Sequence, residues 1–179
     1  AKRGGRAGAG GLDGPEGWRR TGGECSASLA GRPYAEGAGE VIRSGGGDSK
    51  SEADLSRLAR EAYGTFRNPA VVPVAQFGAS TFLLELFHGP TLAFKDVAMQ
   101  LIARLIDWAL SKRGTRATIV AATSGDTGAS AVEAFRDSTQ ARLVVLHPHG
   151  RVSALQRPQM TAVAPPAIPH IALAGNFAD

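Results

Sequence analysis

An α/β fold built on a parallel sheet is predicted by three observations. Short apolar runs at 82–87, 118–122 and 143–146 have the length and composition of buried strands. Two helical patterns separate them, the first beginning at Lys95 and the second running through Ala131, Val132, Ala134 and Phe135. The middle run ends in Thr123-Ser124-Gly125-Asp126-Thr127-Gly128, a small glycine-containing loop that opens the second helix. Strands alternating with helices favour parallel pairing through right-handed crossovers, with ligands taken at the carboxyl ends of the strands, where this loop falls.

The chain begins less regularly. Of its 23 glycines, 15 lie in the first 50 residues, interspersed with Lys2, Arg3, Arg6, Arg19 and Arg20. Such a segment buries little apolar surface, so residues 1–33 are expected to be disordered. An RNA-binding arm is the competing reading. Asp13, Glu16 and Glu24 interrupt the basic run, and no aromatic beyond Trp18 supplies a stacking platform. Helical patterns follow at 34–42 and at 52–66, the second with Leu55, Leu58, Ala59, Ala62 and Phe66 on one side. Pro69 and Pro73 break that pattern, which puts a boundary near Gln76. The first residue is Ala, and the chain stops shortly after an apolar run at 168–173, so both ends are expected to be cut.

Lys95 is the leading candidate for chemistry. The helix it opens presents Val97, Ala98, Leu101, Ile102, Leu105, Trp108 and Ala109 at helical spacing, a face expected to be buried, with Lys95 on it. A cation in a first turn opposes the helix dipole, which favours the neutral amine, and a neutral amine is the nucleophile in reactions with carbonyl groups. The alternative is a solvated lysine in a surface helix. For the loop after the middle strand the alternatives are an anion site built from outward N–H groups with the hydroxyls of Ser124 and Thr127, and an ordinary cap in which Ser124 or Asp126 satisfies those groups. It matches neither the dinucleotide glycine fingerprint nor a Walker loop.

Three stretches together, His88-Gly89-Pro90-Thr91-Leu92-Ala93-Phe94-Lys95-Asp96, then Ala122 through Gly128, then His147-Pro148-His149-Gly150-Arg151-Val152-Ser153 with Gln156-Arg157-Pro158-Gln159-Met160-Thr161, resemble threonine synthase. The resemblance covers the chain from about Tyr34 to Asp179. It implies part of a fold type II enzyme dependent on pyridoxal 5'-phosphate, with a small helical region at 34–76 ahead of a truncated catalytic domain at 77–179. The implied reaction converts O-phospho-L-homoserine and water into L-threonine and phosphate. By the same resemblance Lys95 holds the cofactor as an internal aldimine and then moves protons. Ser124, Gly125, Thr127 and Gly128 receive the substrate carboxylate. Asp126 falls where related enzymes carry an asparagine near the cofactor's phenolic oxygen, although an ionised Asp126 would repel that carboxylate. Thr91 and His88 are candidates for the substrate phosphate pocket, and a turn set by Gly89 and Pro90 explains them equally well. Gly175 to Asp179 imitates the family's cofactor-phosphate loop, but the flanking sequence marks it as a turn, so that loop and the pyridine-nitrogen partner are expected to be missing and the fragment inactive alone. A related phospho-amino-acid lyase and a non-catalytic α/β module remain as alternatives.

Other partners are not called for. A net charge of +4 spread along 179 residues requires neither nucleic acid nor an anionic membrane, and no run approaches a membrane span. Cys25, alone, makes no internal disulfide, and a cytoplasmic location is expected. His147 and His149 lie one residue apart at a strand end and His88 and His170 stand elsewhere, so packing or phosphate contact is preferred over a metal.

Overall fold

The computed structural model describes residues 29–46, 51–123, 125–150 and 168–174. Most of the Gly/Arg-rich start, Ser124, the Arg151 to Thr161 motif and the Gly175 to Asp179 turn lie outside the described residues. The chain divides into Ala1–Arg32 and Pro33–Asp179. Of the first unit the described part is a turn in which Arg32 N–H donates to the Leu29 carbonyl at 3.1 Å.

The second unit opens with two helices, α1 (Tyr34–Gly46) and α2 (Glu52–Tyr63). Ser51 caps α2 by accepting from Asp54 N–H at 3.1 Å, with Glu52 and Asp54 in the first turn complementing the dipole. Four members of the predicted stripe, Leu55, Leu58, Ala59 and Ala62, are buried together with Tyr63, while the helix ends before Phe66, which packs partly buried against the same core. Tyr63 packs edge-on to Tyr34 with ring centroids 4.8 Å apart, and Val97 and Leu101 from a later helix close this small core.

Next come β1 (Val74–Gln76) and β2 (Phe82–Leu84), an antiparallel pair with Ala75 opposite Leu83. This differs from the expected place of 82–87 in the parallel sheet. The five residues between Gln76 and Phe82 form a closed turn, with Phe77 N–H donating to the Thr81 carbonyl at 2.9 Å and the Gln76 side chain bonding Gly78 O at 2.8 Å. A connection that short joins antiparallel neighbours, whereas a parallel pair needs a crossover of a dozen or more residues.

The main sheet follows. Helix α3 (Asp96–Arg113) leads to β3 (Ala117–Ala122), then α4 (Asp126–Phe135), β4 (Ala141–Pro148) and β5 (His170–Leu173). The sheet order is β3-β4-β5, all parallel, with Ile119 beside Leu143 and Val145 beside His170. Gly114 ends α3 with φ 61°, a left-handed cap that favours glycine. One face of the sheet, through Ala141, Leu143 and Val145, packs with Ala103, Ala131, Val132 and Phe135 in the larger core.

The buried stripe of α3 is not the expected one. Asp96, Gln100 and Ala103 are buried, while Ala98 and Ile102 are exposed. The helix runs between two cores, with Val97 and Leu101 joining one and Met99, Ile106 and Leu110 the other. Apolar spacing therefore marks two faces, and the line between them goes deepest, with both Asp96 oxygens and Gln100 Oε1 hydrogen-bonded and Gln100 Nε2 buried without a partner among the described residues. Gln100 Oε1 accepts from Arg104 at 2.9 Å. Further along, Asp107 accepts from Ser138 Oγ at 2.5 Å and from Gln140 N–H at 2.9 Å, pinning α3 to the start of β4.

Two groups here give stability a pH dependence. Burial raises the Asp107 carboxyl pKa, but the bonds from Ser138, Gln140 and Thr139 outweigh it and hold the group below its ordinary 3.8. Burial, helped by the nearby His147, lowers the His170 imidazole below its ordinary 6.5. Both folded pKa values are depressed, so the unfolded chain binds more protons as pH falls and stability falls with it. The His170 contribution is complete above its ordinary value and lost on acidification through the folded value; Asp107 repeats this on the more acid side. Melting temperatures across this range should decline in two stages, with Asp107→Asn flattening the acid one and His170→Leu the milder one. A melting temperature independent of pH would contradict both assignments.

The other sheet face is uncovered among the described residues. Thr118, Val120 and Ala122 on β3 and Ile171 and Leu173 on β5 are exposed, as are Phe77, Phe82 and Leu84 on the hairpin. Purely parallel sheets are normally covered on both faces, and β3 and β5 are both edge strands. Residues 1–179 alone are therefore expected to self-associate. Sedimentation should give oligomers or precipitate, and a monomeric, cooperatively melting preparation would contradict this.

Candidate functional site

The turn that carries Lys95 is held from both sides. His88 anchors its start: the carbonyl accepts from Arg67 N–H at 2.9 Å, Nε2 lies 2.6 Å from Glu85 Oε2, and the ring stacks at a tilt on Phe87. Leu92 adopts φ 64°, a costly conformation for a branched residue. It persists because Leu92 N–H donates to the Gly89 carbonyl and Asp96 N–H to the Ala93 carbonyl, winding the chain into the helix.

Lys95 stands immediately before α3 with helical φ and ψ, and its carbonyl accepts from Met99 N–H at 2.9 Å. Its side chain makes no cap hydrogen bond and is half-buried, with Nζ 4.7 Å from the centroid of the Phe94 ring. A primary amine at this place, free of a carboxylate bridge among the described residues, is suited to attack a carbonyl carbon.

Behind the lysine is a polar cluster of which sequence reasoning singled out Thr91 but neither Asp96 nor Ser130. Asp96 is 0% exposed. Thr91 donates to it twice, from its N–H to Oδ2 and from its hydroxyl to Oδ1, both at 2.7 Å. The Thr91 hydroxyl also lies 3.1 Å from the buried hydroxyl of Ser130, on α4. Gly89 closes the turn over the carboxylate, since a Cβ there would stand 2.4 Å from Asp96 Oδ2.

The second half of the site is the start of α4. Two of the N–H groups at its start find their acceptor in Thr123, and the candidate cap Ser124 lies outside the described residues. The buried Thr123 Oγ1 receives Gly125 N–H at 3.3 Å and Gly128 N–H at 3.1 Å, and Gly128 also reaches the Gly125 carbonyl at 2.9 Å. The cap position itself is Gly125, so a hydroxyl two residues ahead of it gave no capping signal in the sequence. Asp126 is exposed at the first helical position. The N–H of Thr127 lies at the positive end of the helix dipole and makes no hydrogen bond among the described residues.

The structure thus ties the lysine turn to α4 through Thr91 and Ser130, and the loop that opens α4 is the one expected to take a carboxylate. His147 and His170 share the helix-covered sheet face, but His149 is exposed and His88 is at the turn, and among the described residues no cluster of His, Cys, Asp or Glu could hold a metal. The donor set fits an aldehyde cofactor: a nucleophilic amine on a locked turn, with anion donors at a strand end. No helix among the described residues is long and apolar enough to cross a membrane.

No protein-family model matches the chain. The threonine synthase of Pseudomonas aeruginosa is 47% identical over 175 residues, 98% of this chain and 37% of that protein. That of Schizosaccharomyces pombe is 39% identical over 72% of this chain. Among solved structures, pyridoxal-phosphate-bound threonine synthase from Brucella melitensis superposes with a TM-score of 0.78 at 51% identity, covering 85% of this chain and 33% of that one. Threonine synthase from Escherichia coli gives 0.71 at 30% identity. The chain spans about a third of the length of these relatives.

Proposed function

This chain is homologous to the threonine synthases and has their fold, and from that kinship we propose that it supplies the lysine-bearing part of an enzyme converting O-phospho-L-homoserine and water into L-threonine and phosphate, in the cytoplasm. The observation that carries the reading is the half-buried Lys95 amine on a turn locked to the helix that the anion loop opens. Residues 77–179 carry the chemistry in this proposal, with 34–76 as their helical support.

Bound pyridoxal phosphate supplies an aldehyde for the amine and an electron sink for charge developing on the substrate's carbons. Lys95 holds that group and, once released, takes and returns protons at the α and β carbons. The loop from Ser124 to Gly128 receives the substrate carboxylate, with Thr127 N–H as one donor. Asp126, exposed beside it, orients a neighbouring donor. His88, with its Glu85 partner, borders the substrate phosphate, and Thr91 holds the turn through Asp96. Turnover belongs to a protein of the relatives' length, and residues 1–179 by themselves are expected to form no threonine.

Adding pyridoxal phosphate to the relatives'-length protein should produce a visible absorbance band that borohydride abolishes and that Lys95→Ala never shows. A band that persists in Lys95→Ala would contradict the assignment.

A further inference from the structure

We propose that Asp96 is a positioning residue for Lys95, acting through a buried chain of hydrogen bonds, Ser130 to Thr91 to Asp96, that sets the lysine in register with the loop opening α4. The inference rests on the reading of Lys95 as the cofactor-bearing lysine and deepens it, by giving the residues that hold its turn a measurable effect on the amine.

The direction of the chain follows from donor counting. Asp96 offers two acceptor oxygens, one taken by Thr91 N–H and the other by the Thr91 hydroxyl. That hydroxyl has a single proton, committed to Asp96, so at the 3.1 Å contact Ser130 must be the donor. All of Asp96 and Ser130 is inaccessible to water, and among the described residues no Lys, Arg or His forms an ion pair with Asp96. A carboxylate buried this way is costly in a core that apolar residues could fill, and it gives geometric specificity in return. Here the geometry is that of the preceding residue. Lys95 has no side-chain hydrogen bond of its own beyond its contact with the Phe94 ring, so the direction of its amine is set by a backbone that cannot turn without breaking both bonds to Asp96. Ser130 lies one turn into α4, whose first turn is the anion loop, so the same chain fixes the distance between amine and loop.

Competitive labelling tests this. The relatives'-length protein is treated with limiting pyridoxal phosphate, reduced with borohydride, and the pyridoxyl-lysine peptides are measured by mass spectrometry, with the exposed Lys112 as internal reference. The wild type should label Lys95 over Lys112 by about tenfold or more, since an oriented amine gains effective concentration. Ser130→Ala, a mild substitution, and Thr91→Val should each lower the ratio by about fivefold, while Thr91→Ser, which keeps both donors, should preserve it. Asp96→Asn should lower it most, because its amide sets an N–H₂ against one of the two Thr91 donors. If Asp96→Asn does not fold, Ser130→Ala with an unchanged melting temperature carries the test. An unchanged ratio in Ser130→Ala and Thr91→Val would overturn the positioning role and leave the reading of Lys95 standing. A wild type without preference for Lys95 would overturn both.

Discussion

Replacing Lys95 with alanine is expected to lower threonine formation by about a thousandfold or more in an enzyme of the relatives' length that carries this segment. The effect is large because the proposal gives one amine two tasks, holding the cofactor and moving protons, and the other lysine among the described residues, Lys112, is at the far end of the 18-residue helix α3. Stability should barely change. Among the described residues the Lys95 side chain makes no hydrogen bond, only its contact with the Phe94 ring, and it stands half in solvent, so its removal costs no more than about 1 kcal/mol. Activity lost with the melting temperature intact is the expected combination. Residual activity within tenfold of wild type would remove Lys95 from the chemistry.

Gly89→Ala should have the largest effect on stability of any single methyl added to this site. The new Cβ would stand 2.4 Å from Asp96 Oδ2 and 2.5 Å from its Cβ. The carboxylate cannot swing aside, because both oxygens are bonded to Thr91 and the residue has no exposed surface. Either the turn opens or Asp96 loses its donors. Overpacking alone costs about 1–3 kcal/mol, and a buried carboxylate stripped of its partners costs about 3–5 kcal/mol. Denaturant unfolding should therefore register a loss of about 3 kcal/mol, where those two ranges meet. Gly114→Ala is the contrast: nothing lies within 4 Å of that Cβ, and only the left-handed φ is penalised, by about 1 kcal/mol. Equal effects at the two glycines would show that the close approach at Gly89 is relaxed in solution.

The sheet strands β3 and β4 were legible because each carries a short apolar run, at 119–122 and at 143–146. Helices α1 and α2 were legible for the complementary reason: each has a single buried side. Helix α3 was misread in detail because it serves two cores at once, and a hydrophobic pattern cannot reveal that its deepest positions hold Asp96 and Gln100, bonded by Thr91 and Arg104 a turn or so away along the chain. The same limit applied at the site. Lys95 and the glycine-containing loop announce themselves locally, at a helix start and at a strand end. Asp96, Ser130 and Thr123 look ordinary along the chain, and their significance lies in contacts such as Thr91 with Ser130, 39 residues apart. The antiparallel β1–β2 pair escaped because three-residue strands carry almost no periodicity.

The most direct test of the central claim is product analysis. An enzyme of the relatives' length carrying this segment is incubated with O-phospho-L-homoserine and pyridoxal phosphate, and phosphate, threonine and 2-oxobutyrate are measured together. Threonine and phosphate in equal amounts, with both lost in Lys95→Ala, is the predicted result. Phosphate accompanied by 2-oxobutyrate, or threonine formation that survives without Lys95, would contradict it.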